Sequence, residues 1–225
     1  PRSPDQNIVE TPSAISIDEN SGAAYVVFTA ASSDLSATYS LSGPDASYFA
    51  IESGTGIVRL TDNPSYASKN VYNFTVHAHD AAGNITSKEL TLNVVDKMPP
   101  VITPIPSLWV AENSGTYQPV YTVTSSDETG VSFSIKQGLS DDAGQFTIDA
   151  STGLVRLIPS PDFETQAQYQ FTVVATDAFG NSEEQLVVLN IDDLHTGHAN
   201  LIMADGTVVY DSEITTNINT PTIRI

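Results

Sequence analysis

Acidic side chains dominate the chemistry that this sequence could perform. The 225 residues carry 27 Asp and Glu against 8 Lys and Arg, which gives a formal charge of −19. Such a charge repels nucleic acid and anionic membrane surfaces and makes cations the natural partners. Divalent metal binding is therefore the first chemistry to test, and a merely soluble acidic surface is the alternative.

Few other residues suggest chemistry. The chain has no cysteine, which excludes disulfides, thiolate zinc sites and a thiol nucleophile. It also lacks the Gly-x-Ser-x-Gly, His-Glu-x-x-His and phosphate-loop motifs, so no catalytic residue is assigned and no enzymatic activity is expected. No apolar run approaches the roughly 18–20 residues that span a bilayer, and direct membrane insertion is not expected.

Three further side chains are candidates for binding a ligand or a metal: Trp109, His77 and His79. Trp109 is the only tryptophan, and strand alternation should turn it away from Leu108 and Val110. Exposed aromatics anchor interfaces and stack on sugar rings, so Trp109 is a candidate ligand-binding residue, unless a loop or the other domain covers it. His77 and His79 share one strand face, but two ligands do not make a metal site, and solvated surface histidines are the favoured interpretation.

The elements that position these residues occur twice. Glu-Asn-Ser-Gly at 19–22 returns at 112–115, and Thr-Gly followed by Ile or Leu and Val-Arg-Leu at 55–60 returns at 152–157. A longer motif, Tyr-x-Phe-Thr-Val-x-Ala-x-Asp-x-x-Gly-Asn, occupies 72–84 and 169–181. Such an internal repeat indicates modular architecture. We predict domains at 8–97 and 98–195, with a linker at 1–7 and an unassigned tail or start of a further module at 196–225.

Each copy reads as a set of short strands. Apolar and polar residues alternate at 72–78 and at 169–173, which is typical of half-buried strands. Turn signals such as Asp-Ala-Ala-Gly-Asn at 80–84 recur at roughly 8–15 residue spacing. The sequence therefore predicts an all-β protein of two tandem Greek-key β-sandwich domains of the cadherin/immunoglobulin type, with about seven strands each. In the tail, 199–210 could form a hairpin about Asp205-Gly206.

These motifs, in this order and present twice, resemble the cadherin repeat, and especially the cadherin-like modules of bacterial surface adhesins. The resemblance covers roughly residues 8–195. It implies calcium ions held by carboxylates where successive domains meet. Calcium suits such shared sites because it takes 6–8 oxygen ligands.

The resemblance assigns three sets of calcium ligands. The junction between the two copies would use Glu19 and Asp96 from the first and Asp127 and Asp177 from the second. The far end of the second copy would offer Glu112, Asp162, Glu164, Asp192 and Asp193 to a following module. At the near end of the first copy, Asp34 and Asp80 would face an upstream module. Asp in these motifs is also a good turn former, so a turn-only role is the alternative for Asp80 and Asp177.

The family's ligand pattern is incomplete in the first copy. Where the second copy has Asp162 and Glu164, the first has Ser65 and Ala67, and its linker Asp-Lys-Met-Pro-Pro at 96–100 lacks the Asn-Asp-Asn ending of the family. The inter-copy junction is therefore expected to bind fewer ions, to bind weakly or to bind none. The richer site is expected at the far end of the second copy.

The resemblance implies a calcium-associated adhesion or spacer module of a larger protein that is extracellular or at the cell surface. Its partners would be neighbouring repeats of the same chain. The alternative is a carbohydrate-binding or homophilic protein-binding module, with a glycan or a cadherin-like domain as partner, possibly appended to a secreted enzyme. The chain is expected to be a fragment of a longer protein.

Overall fold

The computed structural model describes residues 14–127, 129–138, 141–194, 200–202 and 208–210. The chain divides between Met98 and Pro99 into two compact units. This division lies one residue from the predicted domain boundary, while the predicted linker at 1–7 lies outside the described residues.

The first unit is a sandwich of two sheets. One sheet has the strand order β1-β7-β6-β3 and the other the order β2-β5-β4. A 3-10 turn, Ala46–Tyr48, precedes β4. The strands are β1 (Ala14–Asp18), β2 (Val26–Thr29), β3 (Thr38–Ser42), β4 (Phe49–Ile51), β5 (Ile57–Leu60), β6 (Val71–His79) and β7 (Ile85–Val95).

The second unit repeats this plan. Its larger sheet has the order β12-β15-β16-β9, its smaller one β10-β14-β13, and β8 pairs with β11 in a short addition. The strands are β8 (Val101–Ile102), β9 (Leu108–Ala111), β10 (Gln118–Thr122), β11 (Ser125–Ser126), β12 (Val131–Ile135), β13 (Phe146–Ile148), β14 (Leu154–Leu157), β15 (Gln168–Asp177) and β16 (Ser182–Asp192).

Alternating side chains build a separate core in each unit. In β6, Tyr72, Phe74, Val76 and Ala78 are buried, because every second residue of a strand points to the same face. The corresponding residues of β15 are buried in the same way. Phe74 packs against Phe49 at 4.2 Å between ring centroids, and the equivalent rings of the second unit lie 4.0 Å apart.

In each unit one parallel pair of strands, β1 with β7 and β9 with β16, positions the acidic residues. Asp18 of β1 pairs with Val95 of β7, and Ala111 of β9 pairs with Asp192 of β16. Parallel neighbours end at the same edge of a sheet. The residues that follow the two strands in each unit are therefore neighbours in space.

The predicted all-β fold is confirmed. Two further strands, β17 (Asn200–Ile202) and β18 (Val208–Tyr210), pair antiparallel, as the predicted tail hairpin requires. The turn at 203–207, together with His195 and His198, lies outside the described residues. Within the described ranges no helix has the length and apolar character needed to cross a membrane.

Candidate metal centre

A buried glutamate follows the first long strand of each unit. Glu19 comes directly after β1 and Glu112 directly after β9, and they are only 6% and 5% exposed. The backbone amide of Glu112 donates to the carbonyl of Asp192 at 3.1 Å, which continues the parallel pairing by one residue. This pairing places Glu112 beside Asp193.

In the second unit three carboxylates converge at this edge. Glu112, Glu164 and Asp193 each offer one oxygen, and these oxygens all lie within 4.8 Å of one another. We call these three residues the carboxylate cluster. Glu112 is held in place by two backbone amides, those of Phe163 at 3.2 Å and Leu194 at 2.9 Å. Its oxygens are therefore fixed by backbone on both sides.

The charges of the cluster act on Glu164, its exposed member. A hydrogen bond to its own backbone amide lowers the pKa of Glu164, but partial desolvation and the negative charges of Glu112 and Asp193, with a contact to Asp162, raise it more. The net pKa is above the ordinary value. Mutual repulsion of this kind is relieved by a bound cation, and oxygen-only donors suit Ca²⁺ or Mg²⁺.

The first unit builds the same edge with fewer carboxylates. Glu19 accepts amide hydrogens from Tyr66 at 3.3 Å, Lys97 at 2.9 Å and Met98 at 3.1 Å. Asp96 is 1% exposed beside it. Ala67 stands where Glu164 stands in the second unit, so two carboxylates replace three.

Burial and hydrogen bonding oppose each other at Glu19. Burial raises the pKa of its carboxyl, while hydrogen bonds from the backbone amides of Lys97, Tyr66 and Met98, together with the contact with the Asp96 side chain, lower it. The hydrogen bonds prevail, and the pKa of Glu19 falls below its ordinary value. The folded unit therefore stabilises the ionised carboxylate that a metal ligand requires.

Two residues predicted for the far end of the second unit do not join the cluster. Asp162 accepts hydrogen bonds from the Glu164 and Thr165 amides and from the Thr165 hydroxyl at 2.7 Å, the last of which does most to lower its pKa. Its carboxylate thus closes a turn. Asp192, the last residue of β16, is exposed and pairs with Ala111.

The other predicted ligands in the second unit also accept hydrogen bonds from the turn residues that follow them. Asp177 is 7% exposed and accepts hydrogen bonds from the Phe179 and Asn181 amides, each at 2.8 Å. Asp127 holds Thr129 through its amide at 2.8 Å and its hydroxyl at 2.6 Å. The predicted junction site that joins Asp127 and Asp177 to Glu19 and Asp96 stays a prediction.

In the first unit, Asp34 and Asp80 occupy the equivalent turns. Asp34 accepts the Ser36 hydroxyl at 2.7 Å, which does most to lower its pKa, and the charge of Asp80 opposes this shift. Asp80 accepts the Asn84 amide at 2.7 Å and the Asn84 side chain at 2.6 Å. The turn-forming role is present, and a metal role for these residues stays a prediction.

Trp109 and the two histidines lie on outer sheet faces, as alternation predicts. Trp109 is 60% exposed on β9. His77 and His79 have ring centroids 6.2 Å apart, and each Nε2 lies 2.7 Å from a serine hydroxyl, of Ser42 and Ser40 respectively. Each imidazole is thus turned toward its own serine.

Sequence reasoning missed the backbone amides that hold the glutamates. The donors at Tyr66, Lys97, Phe163 and Leu194 come from residues of unrelated side-chain type. Any residue except proline presents an amide hydrogen, so side-chain type carries no signal for these contacts.

Residues 106–192 match the family model described as the cadherin domain. These residues form a cadherin-like repeat. Protocadherin Fat 2 of Mus musculus is 32% identical over 145 residues, 62% of this chain and 3% of that protein. Cadherin-23 of Homo sapiens is 31% identical over 143 residues, 62% of this chain and 4% of that protein.

Solved structures show the same fold. The crystal structure of human Protocadherin-24 EC1-2 aligns with a TM-score of 0.57 at 21% identity, covering 81% of this chain and 94% of that chain. Mouse Cadherin-23 EC22-24 aligns with a TM-score of 0.56 at 22% identity, covering 83% of this chain and 65% of that chain. The relatives named here are animal cadherins, and the likeness to bacterial adhesin modules stays a prediction from the sequence.

Proposed function

We propose that this chain is a calcium-associated adhesion or spacer module of a larger protein, extracellular or at the cell surface. The carboxylate cluster carries the proposal, because three oxygens within 4.8 Å, one of them on a buried glutamate, form a partial cage for a hard cation. The cadherin-like repeat at 106–192 supports the extracellular role. The chain spans only a few per cent of the protocadherin and cadherin-23 relatives, 3% and 4% of the two named, so the function of the whole protein is part of the proposal.

The cluster would supply part of the coordination shell. Glu112, Glu164 and Asp193 would hold the ion, and calcium would supply the positive charge that lets three carboxylates share one edge. Three protein oxygens fall short of the 6–8 that calcium takes, so water or a neighbouring repeat would complete the shell. In the first unit Glu19 and Asp96 would hold an ion in the same way, with one carboxylate fewer.

Calorimetric titration with calcium tests this proposal. We expect the wild-type chain to bind Ca²⁺ and Glu164→Ala to weaken the affinity by about tenfold or more, since calcium affinity follows the number of charged ligands. The variant carries the residue that the first copy has at this position, Ala67, so the turn should fold. Glu89→Ala removes the same charge from an exposed strand position and should bind as wild type.

The result that would overturn the proposal is equally direct. A wild-type chain that shows neither binding heat nor a rise in melting temperature on addition of millimolar calcium does not hold the ion. Equal losses in Glu164→Ala and Glu89→Ala would assign the effect to net charge and not to the cluster.

A further inference from the structure

The outer face of the β9 and β16 strands in the second unit carries exposed apolar side chains. Leu186 and Val188 alternate along β16 with Asn190, which pairs directly with Trp109 of β9. Trp109 and Leu186 are each 60% exposed, and Val188 is half-buried. We call these three apolar residues, with the neighbouring Gln168, Gln170 and Asn190, the Trp109 face.

The first unit folds in the same way without this apolar surface. At the positions of Trp109, Leu186 and Val188 it has polar residues throughout, namely Ser16, Glu89 and Thr91. The sheet therefore does not need apolar side chains there to form. Exposed apolar side chains that do not serve the fold point to a binding role.

A row of side-chain amides lies beside the indole. Gln170 Nε2 donates to Gln168 Oε1 at 3.2 Å, and Gln168 Nε2 donates to Asn190 Oδ1 at 2.9 Å. Asn190 Nδ2 in turn donates to the carbonyl of Leu108 at 3.2 Å. Each amide has further donor and acceptor capacity, and the chain of bonds orients all three. The row offers pre-positioned polar groups next to a flat aromatic ring.

The Trp109 face is uncharged in a chain of charge −19. Charged residues stand at its margins: Lys136 and Glu184, paired at 2.7 Å, at one end, Asp192 beyond Asn190 at the other, and Asp142, which accepts the Gln170 backbone amide at 2.7 Å, at the side. A cationic or anionic partner would find no matching charge within the face. Electrostatic complementarity thus favours a neutral ligand that combines an apolar surface with hydrogen-bonding groups.

We propose that the Trp109 face binds a neutral, hexose-containing glycan, independently of calcium. The indole would pack on the apolar face of a sugar ring, and the amides of Gln168, Gln170 and Asn190 would exchange hydrogen bonds with its hydroxyls. The face is large enough for a sugar ring but too small for a stable protein interface, which needs about 20–30 residues a side. A second copy of the chain would also bring its own charge of −19.

Fluorescence gives a direct test, because Trp109 is the only tryptophan. The wild-type chain is titrated with neutral gluco-, manno- and galacto-oligosaccharides and, for comparison, with sialylated ones, each in calcium and in chelator. We expect a saturable change of the indole emission with at least one neutral series, equal in both conditions. A glycan array or calorimetry then measures the variants.

Two variants take their new residue from the first copy, which shows that the fold accepts it. Trp109→Ser introduces the residue found at position 16, and binding should weaken by at least tenfold. Tyr117→Ala is the control: Tyr117 is 56% exposed with φ of 55°, and its counterpart Ala24 has φ of 65°. This control removes an exposed aromatic outside the Trp109 face and should bind as wild type.

Two results would overturn the glycan proposal, and a third would reassign the face. The proposal is overturned if the wild-type chain binds no neutral oligosaccharide, or if Trp109→Ser binds as tightly as wild type. Self-association that Trp109→Ser abolishes, without glycan binding, would assign the face to a second copy instead. Calcium binding can survive each of these results, so failure here does not count against the metal proposal.

Discussion

Glu19 has a structural role that does not depend on its predicted role as a metal ligand. Its carboxylate accepts three backbone amides from two different segments, the loop at Tyr66 and the segment at Lys97 and Met98. We expect Glu19→Ala to lower the free energy of unfolding of the first unit by about 2–3 kcal/mol, since buried amides lose a charged acceptor. Denaturant unfolding in chelator measures this without a contribution from calcium.

Glu19→Gln is the matched variant for that measurement. It keeps one acceptor oxygen and the side-chain volume, so its loss should be smaller than that of Glu19→Ala. The pKa of Glu19 is lowered on folding, so its contribution is present above the unfolded value of about 4.3 and is lost as pH falls through the folded one. A Glu19→Ala chain as stable as wild type at pH 7 would contradict this role.

Glu164 should have opposite effects with and without calcium. Its pKa is raised on folding, so its charged form destabilises the folded unit at neutral pH. In chelator we expect Glu164→Ala to raise the melting temperature, and acidification of the wild type through the raised pKa to do the same. In saturating calcium the variant should melt below wild type.

The check is a set of four melting curves, wild type and Glu164→Ala, each in chelator and in calcium. Glu89→Ala serves as the control for net charge, and its two curves should shift together. A Glu164→Ala chain that melts lower than wild type in chelator would show that the carboxylate stabilises the apo unit, against this prediction.

The resemblance to the cadherin repeat identified the three residues of the carboxylate cluster, but it did not separate them from two neighbouring carboxylates. Glu112, Glu164 and Asp193 were predicted together with Asp162 and Asp192, and only the first three converge. The distinction depends on side-chain direction. The Asp162 carboxylate accepts the Thr165 hydroxyl, and Asp192 is the last residue of β16, directly before Asp193, where successive side chains point to opposite faces. Residue type and spacing alone do not encode these directions.

At the level of elements, the alternation at 72–78 and 169–173 predicted strands where β6 and β15 lie. β6 and β15 follow the pattern over their full length, because one face of each is buried. The pair β8 and β11 has two residues in each strand and was not predicted, since two residues show no period. The parallel pairing of β9 with β16 could likewise not be predicted from the sequence, yet it brings Glu112 beside Asp193.

A glycine in each repeat allows two backbone segments to touch. Gly153 has φ of 71°, its carbonyl accepts the Val123 amide at 2.9 Å, and a Cβ there would collide with the Val123 carbonyl oxygen. We expect Gly153→Ala to cost about 3 kcal/mol, the sum of left-handed strain and the collision. Denaturant unfolding of the variant measures the loss.

An alanine variant at Gly180 separates the effect of backbone strain from that of the collision. Gly180 has φ of 88°, and a Cβ there would meet nothing within 4 Å, so Gly180→Ala should show strain alone, about 1 kcal/mol. Equal losses for both alanine variants would mean that the close approach at Val123 contributes nothing.

At the scale of the whole chain, each unit has its own hydrophobic core. One hydrophobic cluster contains residues between Ile15 and Val94, and the other residues between Ile102 and Ile191. No residue belongs to both clusters. Because hydrophobic burial is the main stabilising contribution to folding, each unit carries its own source of stability.

The last prediction uses the matched pair Phe74 and Phe171, which are 1% and 0% exposed at the centres of the two cores. Phe-to-Ala changes in a core cost about 3–5 kcal/mol, which for units of this size lowers the melting temperature by roughly 12 °C or more. We expect calorimetry in chelator to resolve two transitions, with Phe74→Ala lowering one and Phe171→Ala the other. A single transition that each variant lowers would mean that the two units unfold as one cooperative body, and the proposed domain division would be wrong.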